Sequence, residues 1–395
     1  MDFSFTPEEE AFREEVRDFI KKELPPDYEP AMAHLMERST AEEVEFRRTW
    51  CKKLAQKGWL GLSWPKEYGG QGRSFIEQMI LKEEMNYHRV LAGDQFGIDY
   101  LGPALMVHGT EEQKKRHLGP ITRAEVFWCE GYSEPNAGSD LASLQTRAVE
   151  KEDHFLVNGQ KIWTSNAHTA DWCNFMARTD PDAPKHKGLS YFLVDMKTPG
   201  ITVSPLINMA GGHSFNEVFF EDVRVPKENL VGEKNRGWYV ATSVLNFERS
   251  AIEESASLKR ALDELVEYVK ETKVDGELLS KNPSVRHKLA QMAIEIEVAR
   301  VLSYRVAWIL NKGLVPESEA SAAKLFGTEL VAQAANTAMQ IMGLHGQLMS
   351  DSKWPRLKGQ IGGWYLTWPG MLAAGGSSEI QRNVIAIRGL GLPRR

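Results

Sequence analysis

Residues 154–165, "HFLVNGQKIWTS", decide the fold. Their apolar residues recur at a spacing nearer two than 3.6, the signature of a strand with one buried face. Working outward, the same short-period pattern recurs in "EVFWCEGYS" (125–133), "CNFMART" (173–179), "LSYFLVDM" (189–196), "ITVSPLI" (201–207) and "FNEVFFEDVRVP" (215–226). Asn158-Gly159, Pro199-Gly200 and Gly211-Gly212 read as turn punctuation. Antiparallel strands over roughly 110 residues pack as a β-barrel or sandwich.

On both sides the period changes to 3.6. Thr6-Pro7-Glu8-Glu9 is a helix start, with Thr as cap and Pro at the first helical position, followed by Phe12, Val16, Phe19 and Ile20 at helical spacing. Residues 40–57 and 74–91 carry similar amphipathic patterns, and Thr110-Glu111-Glu112-Gln113 is a capping box. Beyond the strands, 238–271, 284–312 and 317–342 are long helical stretches, with a fourth near the C-terminus, which predicts a four-helix bundle. The expectation is an α+β chain of three domains: helical over 1–123, β over 124–236 and a helical bundle over 237–395.

Composition agrees with a globular protein of more than one core: 395 residues, 42% apolar, 26% charged and eleven tryptophans. A net charge of -6 gives no basic field for nucleic acid. Cys51, Cys129 and Cys173 lack metal-ligand spacing, so neither a disulfide framework nor a metal is expected. The acidic start "MDFSFTPEEEAFREE" is no signal peptide and no run of about 18 apolar residues occurs, so a cytoplasmic chain without a membrane anchor is expected.

The resemblance lies in "YSEPNAGSDLASLQTRA" (132–148), "VNGQKIWTSNAHTADW" (157–172) and "FNEVFFEDVRVPKENLVGE" (215–233), which look like three signature segments of the acyl-CoA dehydrogenase family. "HGTEEQKKRHLGPI" (108–121) and "GGSSEIQRNVIAIRGLGLPR" (375–394) resemble two more, in the family's order. The resemblance implies FAD as cofactor, α,β-dehydrogenation of an acyl-CoA in lipid β-oxidation, and an electron-transfer flavoprotein as acceptor. It puts Trp163 beside the flavin ring, the Ser165 hydroxyl at flavin N5, Ser133 and the Tyr132 backbone near the pyrimidine end, and Gly138 and Ser139 at the pyrophosphate. Gln340, Ser377 and Glu379 align with further cofactor contacts. Asn136 replaces a usual glycine, and asparagine tolerates the left-handed conformation such a turn uses. Trp163 and Ser165, two apart on a presumed strand, are expected on one side.

Aligned on Ile380-Gln381-Arg382, the glutamate that most members use as base falls on Gly375. A smaller group carries its base on the first helix of the C-terminal domain, immediately before an arginine, and Glu248-Arg249 matches that pattern. The implied roles are Glu248 as base, Gly375 N–H as donor to the thioester oxygen and Arg249 as a contact to the CoA portion. Val244, Leu245, Glu248, Ala251, Ile252 and Ser255 follow the spacing of one buried helix face, where burial raises a carboxylate's pKa.

A glycine at 375 leaves room for a bulky or branched acyl chain, such as a steroid side chain or a dicarboxyl thioester. Trp364, Tyr365 and Trp368 either wall that pocket or pack in a core, and His168 and His345 read as structural. Where the family carries "R-x-x-F-G" for a neighbouring subunit's FAD, this chain has Thr272 and Asp275. That loss of a guanidinium points to a related subunit completing the site in an α2β2 tetramer, with a homotetramer as the alternative. A flavin monooxygenase or oxidase on the same fold, and a non-catalytic subunit, are the competing functions.

Overall fold

The computed structural model describes residues 4–26, 28, 36–248 and 251–394, without the side chains of 244–248. Five helices come first: α1 (Pro7–Glu23), α2 (Ala41–Gln56), α3 (Phe75–Tyr87), α4 (Gly102–His108) and α5 (Glu111–Thr122). Capping boxes at Thr6, Thr40, Ser74 and Thr110 start four of them, each satisfying amides that a helix start leaves open. Helix α3 stops at Tyr87, short of the expected 91, because the chain turns through a left-handed Arg89. A π-helical turn, Phe96–Leu101, leads into α4.

An ionic network fastens the N-terminal helices to the C-terminal half. The Arg13 guanidinium donates to Glu83 and Glu84 of α3 and to the Tyr304 hydroxyl of α8 (Pro283–Asn311), and Arg300 donates to Glu83 from the other side. Glu83 stays below the usual carboxylate range: burial pushes it up, and Arg300 and Arg13 outweigh the burial.

The middle of the chain forms β1 (Trp128–Gly131), β2 (Arg147–Glu150), β3 (His154–Lys161), β4 (Trp172–Arg178), β5 (Leu189–Asp195), β6 (Ile201–Leu206), β7 (Phe215–Pro226) and β8 (Leu230–Val231). Hydrogen bonds order them β6-β7-β3-β2-β4-β5-β8, with β1 beside β4. The expectation of a purely antiparallel set needs one correction, since β1 and β2 both pair with β4 in parallel. Phe155, Phe175, Phe192 and Phe220 fill the sheet's core; Phe175 stacks on Phe192 at 5.5 Å and on Phe220 at 5.0 Å. Each buried ring contributes about 2–3 kcal/mol.

Asn158-Gly159 is not a turn. It lies within β3, at a register shift between Val157 and Gly159 opposite β7. The Asn158 amide donates to the Asp222 carboxylate and its oxygen accepts the Asp222 N–H, both at 2.9 Å, which closes the β-bulge. Gly159 is required because a Cβ there would lie 2.5 Å from Thr146 Oγ1 and 2.6 Å from Thr146 Cα on β2. Gly159→Ala is expected to destabilise the protein by about 2–3 kcal/mol, read as a lower denaturation midpoint. An unchanged midpoint would show that β2 yields freely.

The expected single helix 238–271 is two, α6 (Gly237–Glu248) and α7 (Ile252–Glu271), separated by a left-handed Ala251 at φ 57°. An L-residue at that angle cannot continue a right-handed helix, so the apolar stripe from Val244 to Ser255 is not one continuous face. Helix α6 packs on β5 and the π-turn. The bundle consists of α7, α8, α9 (Glu317–Met342) and α10 (Gln360–Met371), with α11 (Ser378–Val384) against α9. Trp364 and Trp368 are buried in the bundle core and Tyr365 is exposed. Between α7 and α8 lies a small hairpin, β9 (Lys273–Val274) and β10 (Glu277–Leu278). No helix among the described residues is long and apolar enough to cross a membrane.

Candidate active site

Strand β3 ends at Lys161, so Trp163 and Ser165 are not strand neighbours as expected. Trp163 has a left-handed backbone at φ 60° and opens the turn 165–169. The alternation rule therefore does not orient the two side chains. Trp163 is 58% exposed, its ring edge-on to Phe215 at 5.6 Å, and Ser165 is half-buried. A large aromatic ring left that open is a surface that a planar ligand can cover.

The loop carrying Tyr132, Ser133, Gly138 and Ser139 is tied to this turn by its backbone. Ile162 N–H donates to the Ser133 carbonyl at 2.9 Å, and Lys161 Nζ donates to the Tyr132 carbonyl at 3.2 Å. Glu134 and Ala137 exchange two backbone hydrogen bonds of 3.0 Å, and the turn between them forms without a positive φ at Asn136. Gly138 and Ser139 are exposed, and a Cβ on Gly138 would meet nothing within 4 Å. The donors and the open ring fit a flavin nucleotide: small residues and amides at one end, a flat aromatic wall at the other.

Holding this loop in place is a pair that sequence reasoning missed. Lys161 is fully buried and its Nζ donates to Glu134 Oε1 at 2.8 Å, while Glu134 also accepts the Thr146 and Gln145 amides. Burial pulls the Lys161 ammonium below the ordinary lysine range against the pull of Glu134. Glu134, which burial pushes up, is held below the carboxylate range by Lys161 and the hydrogen bonds from Thr146 and Gln145. The signal available in the sequence was a lysine within an otherwise apolar-patterned strand, four residues after Val157.

The C-terminal candidates form a second group. Gly375 and Gly376 have φ of 60° and 85°, both left-handed. Gln381 is fully buried and its side-chain amide donates to the carbonyls of Gly375 at 2.8 Å and Gly376 at 3.3 Å. Lys324 Nζ of α9 donates to the Gly376 carbonyl at 2.9 Å. Ser377 caps α11, and Glu379 is held below the usual carboxylate range by its own amide and Ser377. The carbonyls of the glycine pair are thus drawn inward, and the Gly375 position has open space, the nearest atom to a Cβ there being Lys324 Cε at 3.7 Å. Gln381 served the sequence reading only as an alignment anchor, and Lys324 gave no signal within its helical pattern.

Glu248 is the last residue of α6, and its side chain lies outside the described residues, as does Arg249. Gln340 stands apart from both groups, exposed on α9 and accepting from Lys288 of α8 at 2.6 Å. Thr272 caps α7, and Asp275-Gly276 both have positive φ, forming the two-residue turn of the β9–β10 hairpin. His168 Nδ1 accepts from the Asn216 side-chain amide at 3.0 Å and its ring stacks on His213 at 4.0 Å, and burial pushes it down to about 4. Among the described residues no group of three or more His, Cys, Asp or Glu could hold a metal, and the three cysteines are free and buried.

Comparison with known proteins gives the same outline. The acyl-CoA dehydrogenase N-terminal, middle and C-terminal domains match residues 6–125, 129–223 and 235–390. The chain is 36% identical over 404 residues to acyl-CoA dehydrogenase FadE26 of Mycobacterium tuberculosis, covering 100% of this chain and 99% of that one. Among solved structures, the Tcur3481-Tcur3483 steroid ACAD superposes with a TM-score of 0.90 at 35% identity, covering 100% of both chains. The ChsE4-ChsE5 complex from Mycobacterium tuberculosis does so with a TM-score of 0.86 at 35% identity, again over 100% of both. The chain belongs to the acyl-CoA dehydrogenase family and is an oxidoreductase.

Proposed function

We propose that the protein removes the α proton and β hydride of an acyl-CoA thioester, giving the trans-2-enoyl-CoA. The observation that carries this reading is the Gly375-Gly376 loop. It has no carboxylate at 375, its carbonyls are held by Gln381 and Lys324, and the space above Gly375 is open. Such a loop can donate its amides to a thioester oxygen but cannot supply a base. Glu248, at the end of α6, is that base: its carboxylate takes the α proton while the Gly375 N–H stabilises the enolate-like oxygen. Arg249 contacts the CoA portion.

FAD, when bound, would supply the hydride acceptor, with an electron-transfer flavoprotein as the acceptor beyond it. Tyr132, Ser133, Gly138, Ser139, Trp163 and Ser165 would hold the cofactor, together with Ser377 and Glu379 of the glycine loop. Gln340, distant from these on the bundle surface, serves a neighbouring subunit's cofactor. The replacement of the arginine loop by the Asp275-Gly276 turn removes this chain's cation for such a neighbour, which supports a hetero-oligomer with a related subunit. The steroid ACAD, by its name, supports a bulky, polycyclic thioester as substrate, and the ChsE4-ChsE5 complex, by its name, supports a hetero-oligomer.

One preparation tests the reading. The chain is isolated alone and with a co-expressed homologue, its mass and flavin content are measured, and CoA thioesters are screened for anaerobic flavin bleaching. Bleaching by ringed or branched thioesters, with flavin content raised by the partner, is expected. A homotetramer fully loaded with FAD would overturn the hetero-oligomer, and bleaching by short unbranched chains alone would overturn the bulky substrate.

A further inference from the structure

Lys324 is 8% exposed, within α9, and its ammonium lies 2.9 Å from the Gly376 carbonyl. Taking an ammonium out of water is unfavourable, yet it sits on the carbonyl that Gln381 reaches only at 3.3 Å, while Gln381 donates to the Gly375 carbonyl at 2.8 Å. One turn along the same face of α9 is Gly327, where a Cβ would lie 3.1 Å from Ala251 Cβ and 3.8 Å from Glu254 Cβ. The face of α9 that carries Lys324 therefore packs against the break between α6 and α7, immediately after Glu248. It also lies against the glycine loop, with Cε 3.7 Å from the place a side chain at 375 would begin.

From this juxtaposition we propose that Lys324 is a positioning residue of the catalytic centre. It fixes the Gly375-Gly376 peptides so that their N–H groups face the thioester oxygen, and it sets a positive charge beside the site where enolate charge develops. The inference rests on the dehydrogenation reading above. The α proton still goes to Glu248, and Lys324 neither gives nor takes it.

Among the described residues, the charged groups near it include Glu329 on its own helix, Arg382 and Glu379 on α11, and Glu254 at the start of α7. Glu329 is ion-paired to Arg382 at 2.8 Å, and the Lys324 charge is one of the influences holding it below the carboxylate range, after Arg382 and Ser378. The Glu329 carboxylate is thus shared between Lys324 and Arg382. A fixed charge beside a forming oxyanion in a site shielded from water acts with little screening, and loss of one such group lowers turnover by about 10²-fold or more.

The test uses full-length holoprotein carrying Lys324→Met or Lys324→Arg. Two readouts separate positioning from mere structural support. The first is solvent-deuterium incorporation at the α carbon of cyclohexylthioacetyl-CoA and of 3-thiaoctanoyl-CoA. Sulfur occupies the β position of both, so the proton step occurs without any hydride to transfer. The second is the split between kcat and KM for a thioester that bleaches the wild type.

Lys324→Met is expected to slow α exchange and kcat by about 100-fold while KM stays within about threefold and flavin content is unchanged. The pH at which exchange is half-maximal should move up, because removing a cation disfavours the enolate. Lys324→Arg, which keeps the charge should Met disturb folding, is expected to recover about tenfold of the exchange rate. Unchanged exchange in Lys324→Met would overturn the role of Lys324 alone. Failure of the wild type to exchange either probe would instead overturn the reaction assigned to the site.

Discussion

Glu248→Gln is expected to lower thioester-driven anaerobic bleaching by about 10⁴-fold while bound flavin and oligomeric mass stay as in the wild type. An α proton beside a thioester is weakly acidic, so the reaction needs a base, and the amide of glutamine is none at neutral pH. The glycine loop cannot substitute, since Gly375 and Gly376 bring only backbone groups. Glutamine keeps the size and polarity of glutamate at the end of α6, so the α6–α7 break is not disturbed. Returning a carboxylate through Gly375→Glu in the same variant should restore a measurable fraction of the rate. The nearest atom to its Cβ is Lys324 Cε at 3.7 Å, so the side chain has room. At φ 60° it carries a backbone strain of about 1 kcal/mol, which keeps the rescue partial. Near-normal bleaching by Glu248→Gln would sink the assignment of the base.

The reason the fold could be read from the chain is that its strongest signals are local. Thr6, Ser74 and Thr110 start helices because a side-chain oxygen three residues before a free amide satisfies it, whatever lies elsewhere. The six short-period runs all became strands, β3 and β7 with largely one buried face and β4 and β5 buried on both. What could not be read depends on partners distant in sequence. Asn158-Gly159 looks like a turn until Asp222 is beside Asn158 and Thr146 beside Gly159. The break at Ala251 has no proline or glycine to announce it. The stretch 238–271 keeps helical spacing, and only the packing of Gly327 against Ala251 accompanies the change of direction. Trp163 was placed by the motif around it, but its orientation comes from a left-handed backbone that strand alternation does not foresee. Lys324 acts through a backbone carbonyl remote in the chain that no local spacing marks, Gln381 through carbonyls five and six residues away, and Lys161, odd in its apolar-patterned strand, meets Glu134 only in the fold.

Lys161→Met is expected to cost about 3–5 kcal/mol, on the order of 10 °C in the denaturation midpoint, and to strip flavin from the protein. Methionine matches the length of the lysine stem, so packing alone would change little. The loss comes from Glu134, left as a buried carboxylate with only the Thr146 and Gln145 amides as donors. Water must then enter or the carboxylate must take a proton, and either loosens the loop that presents Ser133, Gly138 and Ser139. Adding Glu134→Gln removes the stranded charge and should recover more than half of the lost stability, although one of the two amides then faces an NH₂ group. The pH dependence follows from the depressed carboxylate: Glu134 is held below its unfolded value of 4.5, so its contribution is complete above that pH and is lost as pH falls through the folded value. The gap between wild type and Lys161→Met/Glu134→Gln should therefore be constant well above the unfolded value of 4.5 and close as pH falls below it through the folded value. A single variant Lys161→Met as stable as the wild type, with its flavin retained, would mean that the pair is dispensable and that the loop is held by its backbone alone.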